Sequence, residues 1–261
     1  MNRQKILSIL AKFYNQKRKI DKEAMCRIMT NLYLSLKKAK NVLDLGAGSG
    51  RILLPLAALY SEVSFEAVDD SELMLAELEK QVKLGGHLNI QTHKLNFNLP
   101  DWTGNLFKKQ FDAIIIFQGI HFVLDMNRFL KDVTGLVAKN GKIVIASTNH
   151  DQFFRLPYCL NFPDVLKKEL DRTPDELQLV ELMLKEGWGV KSRVEVEVKS
   201  RFESKECLRD WLLLKPFSAL SYISDEEFDQ GVEKYLTQEW KKTKNYKVDE
   251  FVLLTFGREA E

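Results

Sequence analysis

Cysteine is scarce in this chain: Cys26, Cys159 and Cys207 are the only three in 261 residues, and no two of them form a CxxC pair. That argues against a disulfide framework or a zinc site, fits a reducing compartment, and leaves no metal expected. Long apolar runs are also missing. The run Ala113 to Phe117 is far short of the ~20 residues that cross a bilayer. The opening MNRQKILSILAKFYNQKRK has only a short apolar run, broken by a serine, and no small-residue cleavage site. It reads as an amphipathic helix rather than a signal peptide, so the expected location is cytoplasmic. Neither sign of charge prevails, with 39 basic against 37 acidic residues and a formal net charge of +2. No polyanion-directed surface follows, so neither nucleic acid nor membrane is expected as a partner, and small-molecule chemistry is open. Internal repeats and low-complexity linkers are absent. What remains is a chain that is 45% hydrophobic, ample for the core of one large or two modest domains, acting as a monomer or homodimer.

The chain is organised around Val42-Leu43-Asp44-Leu45-Gly46-Ala47-Gly48-Ser49-Gly50. Val42 to Leu45 reads as a buried strand ending in a glycine turn, and Arg51 to Tyr60 as the helix that leaves it. Val63 to Val68 is a second strand ending in Asp69. This is the first βαβ of a nucleotide-type fold, with an acid about 20 residues past the glycines placed to hold ribose hydroxyls. Glycines suit the turn because backbone must approach the ligand where no Cβ fits.

Ahead of that unit, Ile6, Leu7, Leu10, Phe13 and Tyr14 recur at helical spacing, and Asp21 caps a second helix running through Ile28, Leu32 and Leu36. Behind it come a helix capped by Ser71 and stopped by Gly85-Gly86, a strand over Leu88 to Leu95, and a loop over Asn96 to Trp102. Phe111 to Phe117 has the near-continuous apolar character of a central parallel strand. Asp125 caps the next helix, and Asn140-Gly141 turns the chain into a strand over Lys142 to Ala146. Alternating strands and helices imply a parallel α/β sheet. Beyond residue 150 the pattern changes. Thr173-Pro174-Asp175-Glu176 reads as a capping box with proline at the first helical position. Val190 to Lys199 alternates as a strand with one wet face near an edge, interrupted by Ser192. Ser204 to Leu214 and Ser224 to Trp240 read as helices, and Tyr246 to Phe256 as a last strand.

The turn lacks the GK[ST] ending of a P-loop, and Arg51 follows Gly50 where a dinucleotide fold needs a further glycine. With an acid ahead of its glycines, VLDLGAGSGR resembles the first motif of the class I S-adenosylmethionine-dependent methyltransferases. Ala67-Val68-Asp69-Asp70-Ser71 resembles their second, Phe111 to Asp125 their fourth-strand motif, and Gly135 to Ile145 the segment leading into the fifth strand. The resemblance implies a Rossmann-like seven-stranded α/β sheet, mostly parallel with an antiparallel last strand, helices on both faces and a helical lid insert. It divides the chain into helices covering the site (1–40), the cofactor-binding core (41–150) and completion of the sheet with lid insertions (151–261). It implies S-adenosyl-L-methionine as cofactor, with S-adenosyl-L-homocysteine as product. Asp44, Gly46, Ala47, Gly48, Asp69, Asp70, Asn96, Phe97 and Phe117 are the expected cofactor residues. Asp69 would accept from the ribose diol, as a carboxylate can. An acid ending a buried strand needs a partner, and the cofactor ammonium suits Asp44, with capping of the turn amides as the alternative. Asn96 stands where the family often places an acid on the adenine amine. Asp70 reads as a solvated neighbour or a cap.

The expected acceptor is a small molecule methylated at oxygen or nitrogen, or at a carboxylate, which needs no base. The segment Phe202 to Leu212 with the helix that follows is similar to the trans-aconitate and malonyl-carrier-protein carboxyl methyltransferases. His121, just past the fourth strand, is the candidate base, with lining the pocket as its other role. His150 is a second residue that would face the acceptor. Arg51, Arg155 and Arg201 are candidate clamps for an acidic acceptor. Phe153, Phe154, Tyr158, Trp211, Phe217 and Tyr222 are candidates for an aromatic floor, and Lys17-Arg18-Lys19 reads as a solvated helix end. An RNA or protein methyltransferase is the alternative within the enzyme class. Phe117-Gln118-Gly119-Ile120 does not resemble the Asn/Asp-Pro-Pro-Tyr motif of base-methylating members. A non-catalytic cofactor-binding regulator is the alternative outside it.

Overall fold

The computed structural model describes residues 18–104, 110–240 and 245–258. The helix expected over Ile6 to Tyr14 lies outside them. The strands are β1 (Asn41–Leu45), β2 (Ser64–Asp69), β3 (Ile90–Lys94), β4 (Phe111–Phe117), β5 (Val137–Ser147), β6 (Trp188–Arg201) and β7 (Asn245–Arg258). They form one sheet in the order β3-β2-β1-β4-β5-β7-β6. The pairs β1–β2, β1–β4, β2–β3 and β4–β5 are parallel, and β7 runs antiparallel between β5 and β6. Strand order therefore reverses at the β1–β4 pair, and a crevice opens beyond the carboxyl ends of those two strands, where open α/β sheets bind ligands.

Alternation along the central strands divides the core into two layers. Val42, Ala113, Ile115, Val144 and Ala146 face one layer, with Ile28, Leu32 and Leu36 of the first described helix, α1 (Lys22–Leu36). Leu43, Leu45, Ile114, Ile116, Ile143 and Ile145 face the other, with Phe129, Leu130 and Val133 of α4 (Met126–Leu136). Asp44 shares its face with Val42. Helices α2 (Leu53–Leu59) and α3 (Glu72–Gly85) follow β1 and β2. Four short helices lie between β5 and β6: α5 (His150–Phe153), α6 (Pro157–Asn161), α7 (Pro163–Arg172) and α8 (Glu176–Lys185). Between β6 and β7 stand α9 (Lys205–Leu213) and α10 (Asp225–Gln238). No helix among the described residues is long and apolar enough to cross a membrane.

The caps Asp21, Ser71, Asp125 and Ser224 stand where the sequence puts them. The one at α8 does not. Asp175, not Thr173, is the N-cap, and the side chain of Gln178 accepts from the Asp175 N–H at 3.1 Å. Strand β5 is longer than expected and begins at Val137. Val137 pairs with Phe111 and Lys142 with Ala113, so the intervening residues, Asn140-Gly141 included, bulge out of register. The Ser192 interruption in β6 is also a bulge. Val190 pairs with Phe256 and Ser192 with Thr255, which puts Val190 on the opposite face from the rest of its apolar set.

Away from that crevice, one glycine fixes how α10 packs against the junction of α6 and α7. A Cβ on Gly231 of α10 would land in the ring of Phe162, which is fully buried and stacked on Phe228 at 5.9 Å. Gly231→Ala gains about 1 kcal/mol of helix propensity but overpacks the site by about 1–3 kcal/mol. The expected result is a lower Tm in thermal denaturation with the far-UV circular dichroism spectrum unchanged. An unchanged or raised Tm would mean that the ring moves aside freely.

Candidate functional site

The glycine turn is shaped by its backbone. Gly46, Gly48 and Gly50 have φ of +78°, +56° and +82°, all in the left-handed region that side chains avoid. The N–H groups of Gly46 and Ala47 both donate to the Val68 carbonyl, at 2.8 and 3.0 Å, which draws the turn across to β2. A Cβ on Gly48 would meet nothing within 4 Å, so this residue faces open space. Its N–H donates to Asp69 Oδ2 at 2.8 Å, and the Ser71 N–H donates to Asp69 Oδ1 at 2.9 Å. Asp69 is thereby oriented at the end of β2. Burial raises its pKa, and the two backbone donors oppose the rise.

Asp44 is 3% exposed, and its Oδ1 has no hydrogen-bond partner among the described residues. Burial, with Asp69 adding, pushes its pKa up to about 7. A carboxylate in that state is a site for a cation.

The end of β4 supplies the opposite wall. Phe117 packs edge-on to Phe251 at 5.3 Å. Gln118 follows with φ +56°, and its Nε2 is buried without a partner among the described residues. His121 sits in the 3₁₀ turn Ile120–Phe122, its ring centroid 4.1 Å from that of Phe122. Its pKa is held well below the ordinary imidazole value by burial and by the positive charges of Arg172 and Arg18. The loop after β3 is tied to this turn. Asn98 Nδ2 donates to the Phe122 carbonyl and Asn98 Oδ1 accepts from the Leu124 N–H, both at 2.9 Å.

These walls enclose one cavity of about 660 Å³. Asp44, Gly46, Ala47, Gly48, Asp69, Asp70, Phe97, Phe117 and His121 all line it. Asn96 does not. Its side-chain carbonyl accepts from the Asn98 N–H at 2.9 Å, closing its own turn, and Phe97 and Asn98 take the wall position. Asp70 is an exposed lining residue, and the α3 cap is Ser71.

Of the candidate aromatics, Phe153, Tyr158, Phe217 and Tyr222 line the cavity, while Phe154 is exposed and Trp211 lies behind Phe217, edge-on at 5.9 Å. Of the candidate clamps, only Arg51 lines it. Arg155 is spent on Glu250, 2.7 Å away, and Arg201 is exposed on the edge strand β6. His150 bonds the Thr173 carbonyl at 2.9 Å and stands behind the wall. The basic run read as solvated is corrected at Arg18. Its side chain is 9% exposed, pairs with buried Asp249 at 2.9 Å and lies over Phe217 at 4.4 Å. Sequence reasoning also missed Gln118, Lys168, Arg172, Thr173 and Lys215, which line the far half. Lys168 and Arg172 stand four residues apart, and that i, i+4 spacing after Pro163 is the signal that marks them as sharing one helix face.

The residues at the near end fit S-adenosylmethionine. The unpartnered Asp44 oxygen suits its ammonium, Asp69 keeps lone pairs for a diol, and Gly48 leaves room for close approach. Residues 36–206, more than half of the chain, match the family described as Methyltransferase domain. No curated protein matches. Among solved structures, BH2331 of Bacillus halodurans C-125 superposes with TM-score 0.62 at 13% identity, covering 90% of this chain and 99% of that one. The N-methyltransferase NodS of Bradyrhizobium japonicum WM9, in complex with S-adenosyl-L-homocysteine, gives 0.52 at 14% identity, covering 90% and 86%. The [4+2]-cyclase SpnF gives 0.59 at 13% identity, covering 94% and 85%. At such identities these likenesses carry the fold alone, and it is the family match that identifies the chain as a member of the class I S-adenosylmethionine-dependent methyltransferases, with S-adenosylmethionine as its cofactor.

Proposed function

We propose that this enzyme transfers a methyl group to a small-molecule acceptor held between the cofactor residues and the helices that follow β5 and β6. One observation carries the reading. A single cavity joins the acidic end, at Asp44 and Asp69, to an aromatic and basic end at Tyr158, Arg172, Phe217 and Tyr222. Its volume, about 660 Å³, is in the range of sites for small ligands. Bound at the acidic end, S-adenosylmethionine supplies an electrophilic methyl group for in-line displacement. The chain positions the reactants and excludes water. Asp44, Gly46, Ala47, Gly48, Asp69, Asp70, Phe97 and Phe117 form the cofactor end, and α6, α7 and the segment from Lys215 to Tyr222 act as the substrate lid. His121, neutral because its pKa is depressed, accepts the proton of a hydroxyl or amine acceptor at a ring nitrogen.

Incubation of the purified chain with labelled cofactor and a cell extract, followed by identification of the labelled product, tests the reading. Label in a low-molecular-weight product supports it. Label in RNA or protein, or cofactor binding with no transfer at all, would overturn it.

Asp44 gives the cofactor end a pH signature. With a pKa of about 7 the free protein carries a proton there at pH 6. A complex that pairs the carboxylate with the ligand ammonium must expel it. Affinity for S-adenosylhomocysteine is therefore expected to be level above pH 7 and to fall by up to about tenfold per unit below it. Calorimetry at pH 6, in buffers of different ionisation enthalpy, should register close to one proton released. Asp44→Asn should abolish the release and weaken binding. Affinity independent of pH between 6 and 8 would remove Asp44 from the ammonium.

A further inference from the structure

The far half of the cavity carries more positive charge than its neighbours neutralise. Lys168 and Arg172 are one turn apart on α7, the spacing that puts two side chains on one helix face, and both line the cavity with Lys215. Glu169 accepts from Arg172 Nε at 2.8 Å and Ser218 Oγ from Nη2 at 2.9 Å. Among the described residues Nη1 of Arg172 is left without a partner, and Lys168 has no carboxylate. The carboxylate near Lys215, Asp225, is fully exposed and 3.8 Å away. Thr173, next to Arg172, is 4% exposed, lines the same wall, and has an Oγ1 without a partner among the described residues. A buried hydroxyl left this way is destabilising, and a bound ligand that pairs with it removes the cost. Around these donors the surfaces are aromatic. The Tyr222 ring lies 5.3 Å from Lys168 Nζ and 5.9 Å from the Arg172 guanidinium, and Tyr158 stacks on Phe217 at 3.8 Å and 11°.

We propose that the acceptor carries an anionic group, a carboxylate or a phosphate, on a planar apolar body. Lys168, Arg172 and Thr173 hold the anion, and Tyr222 with the Tyr158–Phe217 stack packs the body. The proposal rests on the small-molecule reading above and adds the charge of the acceptor to it. A guanidinium edge and an ammonium on one face bind an anion by charge-assisted hydrogen bonds, which a neutral ligand of the same shape does not receive. The clamp is thus on α7, and not on Arg155 or Arg201.

The test is calorimetric titration of the full chain, saturated with S-adenosylhomocysteine, with phenylacetate, phenyl phosphate and the neutral phenylacetamide. At least one anion is expected to bind about tenfold or more tightly than the amide, and the better of the two identifies the head group. Lys168→Gln, at an exposed side chain, should reduce that preference severalfold. Lys168→Gln combined with Arg172→Gln should erase it, with S-adenosylhomocysteine affinity retained as the check on folding. Anions that bind no better than the amide, or a preference that survives the double substitution, would overturn the proposal. The labelled-cofactor experiment fails separately. Anion preference without any methylated small molecule would leave this site standing and remove the small-molecule reading, whereas methylation of a neutral or cationic acceptor would do the reverse.

Discussion

Replacing His121 with alanine is expected to lower the methyl-transfer rate about a hundredfold or more, the scale of a lost general base. The residue lines the cavity beside Gln118, in a turn fixed by the two bonds from Asn98, so the substitution removes a ring without releasing the backbone. Its pKa, depressed by burial first and by Arg172 and Arg18 second, also sets the pH dependence. The neutral, proton-accepting form is present above that lowered value. The acidic limb of kcat/KM for the acceptor, measured with S-adenosylmethionine kept saturating so that Asp44 does not contribute, should therefore lie below pH 6.5, with the rate lost only as pH falls through it. An anion bound against Arg172 would cancel part of the positive field at His121. The limb of kcat, which reports the complex, should then sit at higher pH than the limb of kcat/KM. His121→Ala should remove both limbs. A variant with normal rate and profile would reduce His121 to a lining residue.

The parts of the fold that could be read in the sequence are those set by local physics. Seven residues from Phe111 to Phe117 make a central strand because both of its faces are buried. Asp21, Ser71, Asp125 and Ser224 cap helices because the bond each accepts comes from two or three residues ahead. The glycine turn was legible because only glycine tolerates three left-handed residues in five. Where tertiary contacts decide, local reading fell short. Asp175 took the cap from Thr173 while its carboxylate also accepts from the His150 N–H, 25 residues away, at 3.2 Å. At Ser224 the Glu227 N–H donates to the cap, but the Glu227 carboxylate accepts from the Asp164 N–H, 63 residues away, rather than closing a capping box.

The same division runs through the site. The end of the cavity proposed for the cofactor is built from residues at strand ends, and the motif residues other than Asn96 all line it. The other end, proposed for the acceptor, is built from separate segments between and before the strands. Arg18 meets Asp249 across 231 residues, and Arg172 meets Ser218 across 46. No periodicity in either segment marks those pairs, so a buried arginine looked like a solvated one.

Asp69→Ala is expected to weaken S-adenosylmethionine binding more than tenfold in calorimetry. Two contributions act together. The carboxylate holds the turn through the Gly48 N–H at 2.8 Å and the start of α3 through the Ser71 N–H at 2.9 Å. Its remaining lone pairs face the cavity, where a ribose diol can donate to them. Each charge-assisted bond is worth about 1.5–3 kcal/mol, so losing even one accounts for a tenfold change. The two contributions separate with a second ligand. Wild-type protein should prefer S-adenosylhomocysteine over its 2′,3′-dideoxy analogue by about tenfold or more, because only the diol donates to Asp69. In Asp69→Ala that preference should collapse while both ligands lose the share that comes from a slackened turn. Asp69→Asn, which keeps the shape and a single carbonyl acceptor, should fall between the two. If Asp69→Ala weakened both ligands equally and left the preference intact, the carboxylate would serve the turn alone and the diol would have to be bound elsewhere.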